Sequence, residues 1–86
     1  MSALNRAYEY LGYGAKSLIA RRCGVTPGAV RRWFADGVLP STEITEIRGQ
    51  RITSYGEIIQ ALTDGAITDD ELRNEIFASR ASKSVA

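Results

Sequence analysis

The chain has 86 residues, with 11 Lys or Arg against 10 Asp or Glu, a single Cys and no His. This length suits one domain with a modest core, and a single Cys permits no internal disulfide. The missing His removes the commonest general base and a usual zinc ligand, so we expect no enzyme, no metal site, no cofactor and no small-molecule ligand. No apolar run approaches the ~18–20 residues of a membrane span, and no signal-peptide core is present, so we expect neither membrane insertion nor export.

The small net charge of +1 is the sum of opposite charges on the two halves of the chain. Residues 1–40 carry six Lys or Arg against two Asp or Glu, a net charge of +4, whereas residues 41–86 carry five against eight, a net charge of −3. A basic half provides the positive surface that nucleic-acid binding requires. Charged surfaces are more often merely solvated, so this asymmetry supports such binding without establishing it.

The first predicted element is a helix over residues 2–11, ended by Gly12-Tyr13-Gly14. Its apolar residues recur at helical spacing: Leu4, Ala7, Tyr8 and Leu11. Three tyrosines in this region could stack on bases. Aromatic residues at helical spacing usually build cores, however, so we expect Tyr8 in the core and Tyr10 and Tyr13 half-exposed.

Residues 15–40 predict two short helices joined by a tight turn. Gly24 ends the first helix because it takes a positive φ at little cost. Thr26 can cap the second helix, and Pro27 fits its first position, where a missing N–H costs nothing. Asp36-Gly37 closes this helix. Its inner face is expected to hold Val30, Trp33 and Phe34, which leaves Gly28, Arg31 and Arg32 facing outward.

The order of these residues resembles the helix-turn-helix of phage Cro and CI regulators and of the YdaS-like Cro relatives. In that family a small residue is followed four positions later by Gly and six positions after that by an aliphatic residue, here Ala20, Gly24 and Val30. The resemblance implies an all-α, lambda-repressor-like domain of five to six short helices. It also implies a sequence-specific regulator of transcription that binds double-stranded DNA, a phage or prophage repressor in the bacterial cytoplasm. Such proteins bind near-palindromic operators as homodimers, here expected to be weak or formed on DNA.

The same resemblance implies which residues contact DNA. The expected base contacts are Thr26, Pro27, Gly28, Arg31 and Arg32. Because Pro27 and Gly28 have no polar side chain, most direct base recognition falls on Arg31 or Arg32, and the sequence does not decide between them. The expected phosphate contacts are Lys16 and Ser17, with weaker candidates in Arg22 and in Arg48 or Arg51; each of these cations could equally be only solvated.

Residues 41–53 allow two interpretations. The favoured one is a short helix capped by Ser41 or Thr42, with Ile44 and Ile47 facing inward. The other is a β-hairpin turning at Gly49-Gln50, which would make a winged helix similar to MerR-type regulators and excisionases. Those families begin at the helix-turn-helix, whereas this chain has a helix before it, and the helical version is therefore preferred.

Two further helices are predicted, each opened by a capping box, Ser54 with Glu57 and Thr68 with Glu71. The first would bury Tyr55, Ile58, Ile59 and Leu62, and the second would present Leu72, Ile76 and Phe77 on one face. We divide the chain into a DNA-binding domain over residues 1–66, a C-terminal helix over 67–79 that docks or dimerises, and a disordered tail over 80–86. A weak similarity of the C-terminal helix to the phage CII activator keeps dimerisation open.

A second hypothesis belongs to another functional class. The chain could be a protein-interaction module that keeps the helix-turn-helix scaffold and uses its acidic C-terminal half to bind a partner. The two hypotheses differ in what the structure must show. DNA binding requires Arg31 and Arg32 on an uncovered face with Trp33 buried beneath them.

Overall fold

The computed structural model describes residues 2–84, with side chains described for residues 2–80. Within residues 2–84 it contains five α-helices, one 3-10 turn and one β-hairpin. The elements are α1 (Ala3–Leu11), α2 (Ala15–Cys23), α3 (Pro27–Asp36), the 3-10 turn (Ser41–Glu43), β1 (Glu46–Ile47), β2 (Gln50–Arg51), α4 (Tyr55–Leu62) and α5 (Asp69–Ser84). The prediction of a mainly helical domain is confirmed, but the hairpin means that the chain is not all-α. No helix in the described range is both long and apolar enough to cross a membrane.

The ends of α2 and α3 follow the local signals in the sequence. Gly24 follows α2 with φ 71° and Gly37 follows α3 with φ 81°, a region that glycine occupies cheaply. The hydroxyl of Thr26 accepts a 3.2 Å hydrogen bond from the backbone N–H of Ala29, and Pro27 occupies the first helical position. The predicted caps around this helical pair are therefore confirmed.

The segment between α3 and α4 contains the hairpin rather than the favoured helix. Helical structure there is limited to the single 3-10 turn, and Ile47, predicted to face inward, is 60% exposed. The two strands pair Glu46 with Arg51 and Ile47 with Gln50. Arg48 and Gly49 form the turn with φ 55° and 79°, one residue earlier than the predicted turn. Positive φ at both turn residues matches the twist of a two-residue hairpin, which explains why β pairing forms here.

The core lies where the five helices of the described region meet. Its buried residues are Ala3, Leu4, Ala7, Ile19, Ala20, Val30, Trp33, Leu39, Ile59, Ile67, Leu72 and Ile76. Trp33 stacks on Tyr55, with ring centroids 4.9 Å apart. The prediction that Tyr8 belongs to the core is wrong, because its side chain remains 38% exposed and meets Phe34 edge-on at the surface. Tyr10 is half-exposed as predicted, at 55%, whereas Tyr13 is fully exposed, at 103%.

The C-terminal helix α5 docks on its own domain. Leu72 and Ile76 enter the core, whereas Phe77 is 52% exposed and does not share their environment. Two polar contacts fasten α5 to α1. Arg6 pairs with Glu71 at 2.7 Å, and the backbone N–H of Ala3 donates to Glu75 at 2.6 Å. The helix continues to Ser84, past the predicted start of a tail at residue 80, and residues 85–86 lie outside the described range.

A buried carboxylate caps α4 in place of the predicted Ser54 and Glu57 box. Ser54 makes no side-chain cap, whereas the backbone N–H groups of Tyr55 and Gly56 each donate to Glu43 at 2.8 Å. The hydroxyl of Thr53 also donates to Glu43, which is 0% exposed. A helix start needs acceptors for its free N–H groups, and Glu43 supplies them from outside the helix.

The capping box predicted for α5 is confirmed. The backbone N–H of Thr68 donates to the Glu71 carboxylate at 3.0 Å, and the N–H of Glu71 donates to the Thr68 hydroxyl at 3.2 Å. The two residues lie three positions apart, so the box itself is a local signal, and the N–H of Asp69 between them donates to the Gln60 side chain at 2.8 Å. Ile67 and Leu72, on either side of it, are both buried.

Arg51 connects the hairpin to α5 and to the carboxylate that caps α4. Its guanidinium bonds to Glu43 at 2.9 Å and to both carboxylate oxygens of Asp69 at 3.0 Å each. Its Nε also donates to the backbone carbonyl of Glu43 at 3.1 Å. Burial lowers the pKa of Arg51, but the bonds to Asp69 and the nearby carboxylates raise it overall. We call Glu43, Arg51 and Asp69 the carboxylate junction; it fixes the hairpin against the helices.

Candidate nucleic-acid interface

One side of α3 is anchored in the core and the other is exposed. Val30 and Trp33, one turn apart, are 0% and 6% exposed. Helical geometry places Gly28 on the opposite side, with Arg31 and Arg32 to either side of it, and all three are exposed. The burial of Trp33 thus fixes the direction in which the arginines project.

The predicted contact cations of α2 and α3 have no acidic partner in the described part of the chain. Among residues 2–80, no Asp or Glu lies within ion-pair distance of Lys16, Arg22, Arg31 or Arg32, whereas Arg51 contacts three carboxylates. Lys16 instead lies over two aromatic rings, with its Nζ 5.7 Å from the Tyr8 centroid and 5.2 Å from that of Phe34. These contacts hold the ammonium beside α3 without cancelling its charge.

The start of α3 is also exposed, as the predicted base contacts require. Thr26, Pro27 and Gly28 are all exposed. A Cβ built on Gly28 would meet nothing closer than 3.9 Å, where it approaches Arg31 and Thr26. The helix therefore begins with a thin, uncrowded surface that another molecule can approach closely.

The first turn of α2 provides two of the predicted phosphate contacts. Lys16 and Ser17 are exposed there, and the Gly14 cap has no side chain to occupy the free N–H groups of this turn. Such N–H groups attract anions. Arg22, in the last turn of α2, is exposed as well. We call the exposed predicted contacts on α2, at the cap of α3 and on α3 the cationic surface: Lys16, Ser17, Arg22, Thr26, Pro27, Gly28, Arg31 and Arg32.

The structure separates the two arginines of the hairpin. Arg48 is exposed in the turn. The side chain of Arg51 is 17% exposed and is held by Glu43 and Asp69 in the carboxylate junction. Arg48 is therefore available to a phosphate, whereas Arg51 has a structural role, and we leave Arg51 out of the candidate interface.

A cleft between α1, α2 and α3 adjoins the cationic surface. It has a volume of about 450 Å³ and is lined by Asn5, Tyr8, Lys16, Arg31, Phe34 and Ala35. Asn5 and Tyr8 were not among the predicted site residues. Their spacing of three in the first helix placed them on one side of it, but nothing local indicated that this side faces α3.

Other chemistry has little support among the described residues. Burial, with a smaller contribution from the charge of Glu43, raises the pKa of the Cys23 thiol to about 11, which disfavours the reactive thiolate. No group of three or more Cys, Asp or Glu side chains in the described part of the chain is arranged to hold a metal ion.

Comparisons of the chain with models of protein families, with curated proteins and with solved structures find no match. Evidence on function therefore comes from the cationic surface, the hairpin and the adjoining cleft.

Proposed function

We propose that this protein is a sequence-specific regulator of transcription that inserts α3 into the major groove of double-stranded DNA. The observation that carries the proposal is the exposure of Arg31 and Arg32 on α3, away from buried Val30 and Trp33 and without an acidic partner among residues 2–80. An arginine can donate two parallel hydrogen bonds to a guanine, worth roughly 1–3 kcal/mol of discrimination against other bases. α2, the turn and α3 then act as a helix-turn-helix.

The rest of the cationic surface supports the DNA backbone in this proposal. Lys16, Ser17 and Arg22 contact phosphates from α2, and Arg48 contacts a phosphate from the hairpin. A hairpin in this position favours the winged-helix arrangement of MerR-type regulators and excisionases over a lambda-repressor-like domain. The carboxylate junction supports this view, since it fixes the hairpin as a rigid wing.

A single α3 contacts too few base pairs for a specific site. We therefore propose that the protein binds a near-palindromic operator as a homodimer, formed weakly in solution or on DNA, and acts as a phage or prophage repressor. A two-fold symmetric binding motif would support the dimer.

The protein-interaction module is the weaker proposal because much of the acidic half is occupied within the domain. Glu43 and Asp69 bind Arg51, Glu71 binds Arg6, and Glu75 accepts from the Ala3 backbone. These carboxylates offer little free charge to a partner.

Selection of bound sites from random duplex DNA, followed by fluorescence anisotropy, tests the proposed function. We expect one enriched motif, and binding that weakens steeply with salt. Replacing both Arg31 and Arg32 by Ala should abolish specific binding. The control, Asn74→Asp with Arg80→Ala, lowers the net charge by the same two units at exposed positions on α5 and should retain specific binding. Equal losses in the two variants, or no selected motif, would contradict the proposal.

A further inference from the structure

The cleft beside α3 combines two kinds of lining. Lys16 and Arg31 contribute positive charge, and Tyr8, Phe34 and Ala35 contribute apolar surface. Tyr8 and Phe34 meet edge-on, with centroids 5.9 Å apart, and Lys16 lies over both rings. The lining therefore suits a ligand with an anionic part and an adjoining apolar part.

The position of the cleft points to a strand of nucleic acid as the source of that ligand. Arg31 belongs both to the cleft and to the exposed flank of α3, so the cleft is continuous with the cationic surface. A backbone strand that borders the groove occupied by α3 would pass along this flank. Each unit of such a strand joins an anionic phosphate to a largely apolar sugar.

We propose that the cleft binds one deoxyribose-phosphate unit of the DNA backbone. Lys16 and Arg31 bind its phosphate, and the rings of Tyr8 and Phe34 pack against its sugar. This inference rests on the proposed function and deepens it in two ways. It brings α1 into the interface through Asn5 and Tyr8, and it assigns different roles to two neighbouring arginines.

Arg31 is a phosphate contact in this arrangement, and Arg32 reads the base. Arg31 lies on the cleft side of Gly28 and lines the cleft, whereas Arg32 lies on the other side of Gly28 and is not among the lining residues. Phosphate contacts fix the position of the protein but carry no sequence information, whereas base contacts do. The two arginines should therefore differ in what their loss changes.

A negative charge placed in the cleft tests the site directly. Asn5→Asp introduces it in the first turn of α1, where the helix dipole favours an acid, so the variant is expected to fold. Asn74→Asp makes the same substitution at an exposed position on α5. We expect Asn5→Asp to weaken duplex binding about tenfold at low salt through repulsion of a nearby phosphate, and Asn74→Asp to change it less than about twofold.

Paired glutamine variants test the division of roles. Arg31→Gln should weaken binding to the selected and scrambled duplexes equally, and should reduce the slope of log affinity against log salt by about 0.9. Arg32→Gln should lower the ratio of the affinity for the selected duplex to the affinity for the scrambled duplex by about tenfold. A lower ratio for Arg31→Gln, or a ratio unchanged by Arg32→Gln, would overturn the assignment.

A titration with inorganic phosphate, followed by amide NMR shifts, separates a backbone site from a site for a free anion. Wild type that binds no duplex overturns the proposed function. If wild type binds duplex but Asn5→Asp binds it as well as Asn74→Asp does, the backbone site in the cleft is overturned and the proposed function is not. In that case, saturable shifts at residues 5, 8, 16 and 31 on adding phosphate would show that the cleft binds a free anion. Duplex binding that is weakened by Asn5→Asp and not by Asn74→Asp supports the backbone site.

Discussion

Arginines serve opposite purposes in the cationic surface and in the carboxylate junction. Arg31 and Arg32 are exposed, and no acidic side chain in residues 2–80 pairs with them. Arg51 is held by Glu43 and Asp69, with only 17% of its side chain exposed. Sequence composition treats all three as equivalent positive charges. Their availability to a ligand depends on which carboxylates the fold brings beside them.

The comparison also separates recognition from support. The charges of the cationic surface contribute little to folding because they remain in water, whereas those of the junction connect the hairpin, α4 and α5. Substitutions in the junction should therefore lower stability, and substitutions in the cationic surface should lower DNA binding.

The largest effect on stability is expected from Glu43→Gln. The variant leaves Arg51 with one partner fewer and places an amide, which donates, where the N–H groups of α4 need an acceptor. Breaking a buried ion pair in this way costs about 3–5 kcal/mol. Urea unfolding measures the loss. Glu46→Gln, on an exposed strand, is the control and should change stability by less than about 0.5 kcal/mol. Equal effects would contradict the role of Glu43.

Gly56→Ala should have the next largest effect. Gly56 is buried at the start of α4, and an added Cβ would lie 2.2 Å from Asp69 Oδ1 and 3.3 Å from Glu43 Oε1. Relieving this overlap moves the carboxylates of the junction and should cost about 1–3 kcal/mol. Gly28→Ala adds the same methyl at an uncrowded helical position of α3 and should stabilise by about 0.5–1 kcal/mol. Thermal or urea unfolding of both variants measures these changes in stability, which should have opposite signs. Changes of the same sign would contradict the packing described for Gly56.

Arg48→Asn tests whether the hairpin belongs to the interface. Arg48 has φ 55°, a conformation that asparagine tolerates better, so the variant should be more stable by about 0.5–1 kcal/mol. It should also bind the selected duplex more weakly, because the cation at the turn is lost. Arg48→Lys keeps the charge and should retain most of the affinity. Unchanged DNA binding in Arg48→Asn would exclude the hairpin from the interface.

The smallest effect concerns the pH dependence at Glu71. The backbone N–H of Thr68 and then the Arg6 guanidinium hold the pKa of this carboxyl below its usual 4.5. The stability it contributes is therefore fully present above pH 4.5 and is lost as the pH falls through its folded value. The free energies of unfolding of wild type and Glu71→Gln should differ by a constant above pH 4.5 and converge below it. A difference that does not change with pH would contradict this coupling.

Sequence reasoning succeeds where the deciding contacts are short-range. Gly24, Thr26 and Pro27 define the turn within a few residues, and the capping box of Thr68 and Glu71 spans three positions. Each signal is local, so neighbouring residues suffice to predict the helix ends around the cationic surface.

Sequence reasoning fails where residues distant in the chain make the deciding contacts. Ser54 and Glu57 have the spacing of a capping box, but Glu43 takes the N–H groups of α4 from outside the helix. Contacts between distant residues also favour the hairpin over the predicted helix, because Arg51 turns inward to Glu43 and Asp69 while Ile47 remains exposed. Neither outcome follows from periodicity, since the isoleucine spacing fits a helix and a hairpin alike. The cleft depends likewise on the packing of α1 beside α3.

Amide NMR shifts on addition of the selected duplex test the central proposal most directly. We expect the largest changes over residues 15–17 and 26–32 and at the hairpin turn, with little change along the exposed side of α5. Changes centred on α5, with the amides of α3 unmoved, would contradict DNA binding through α3.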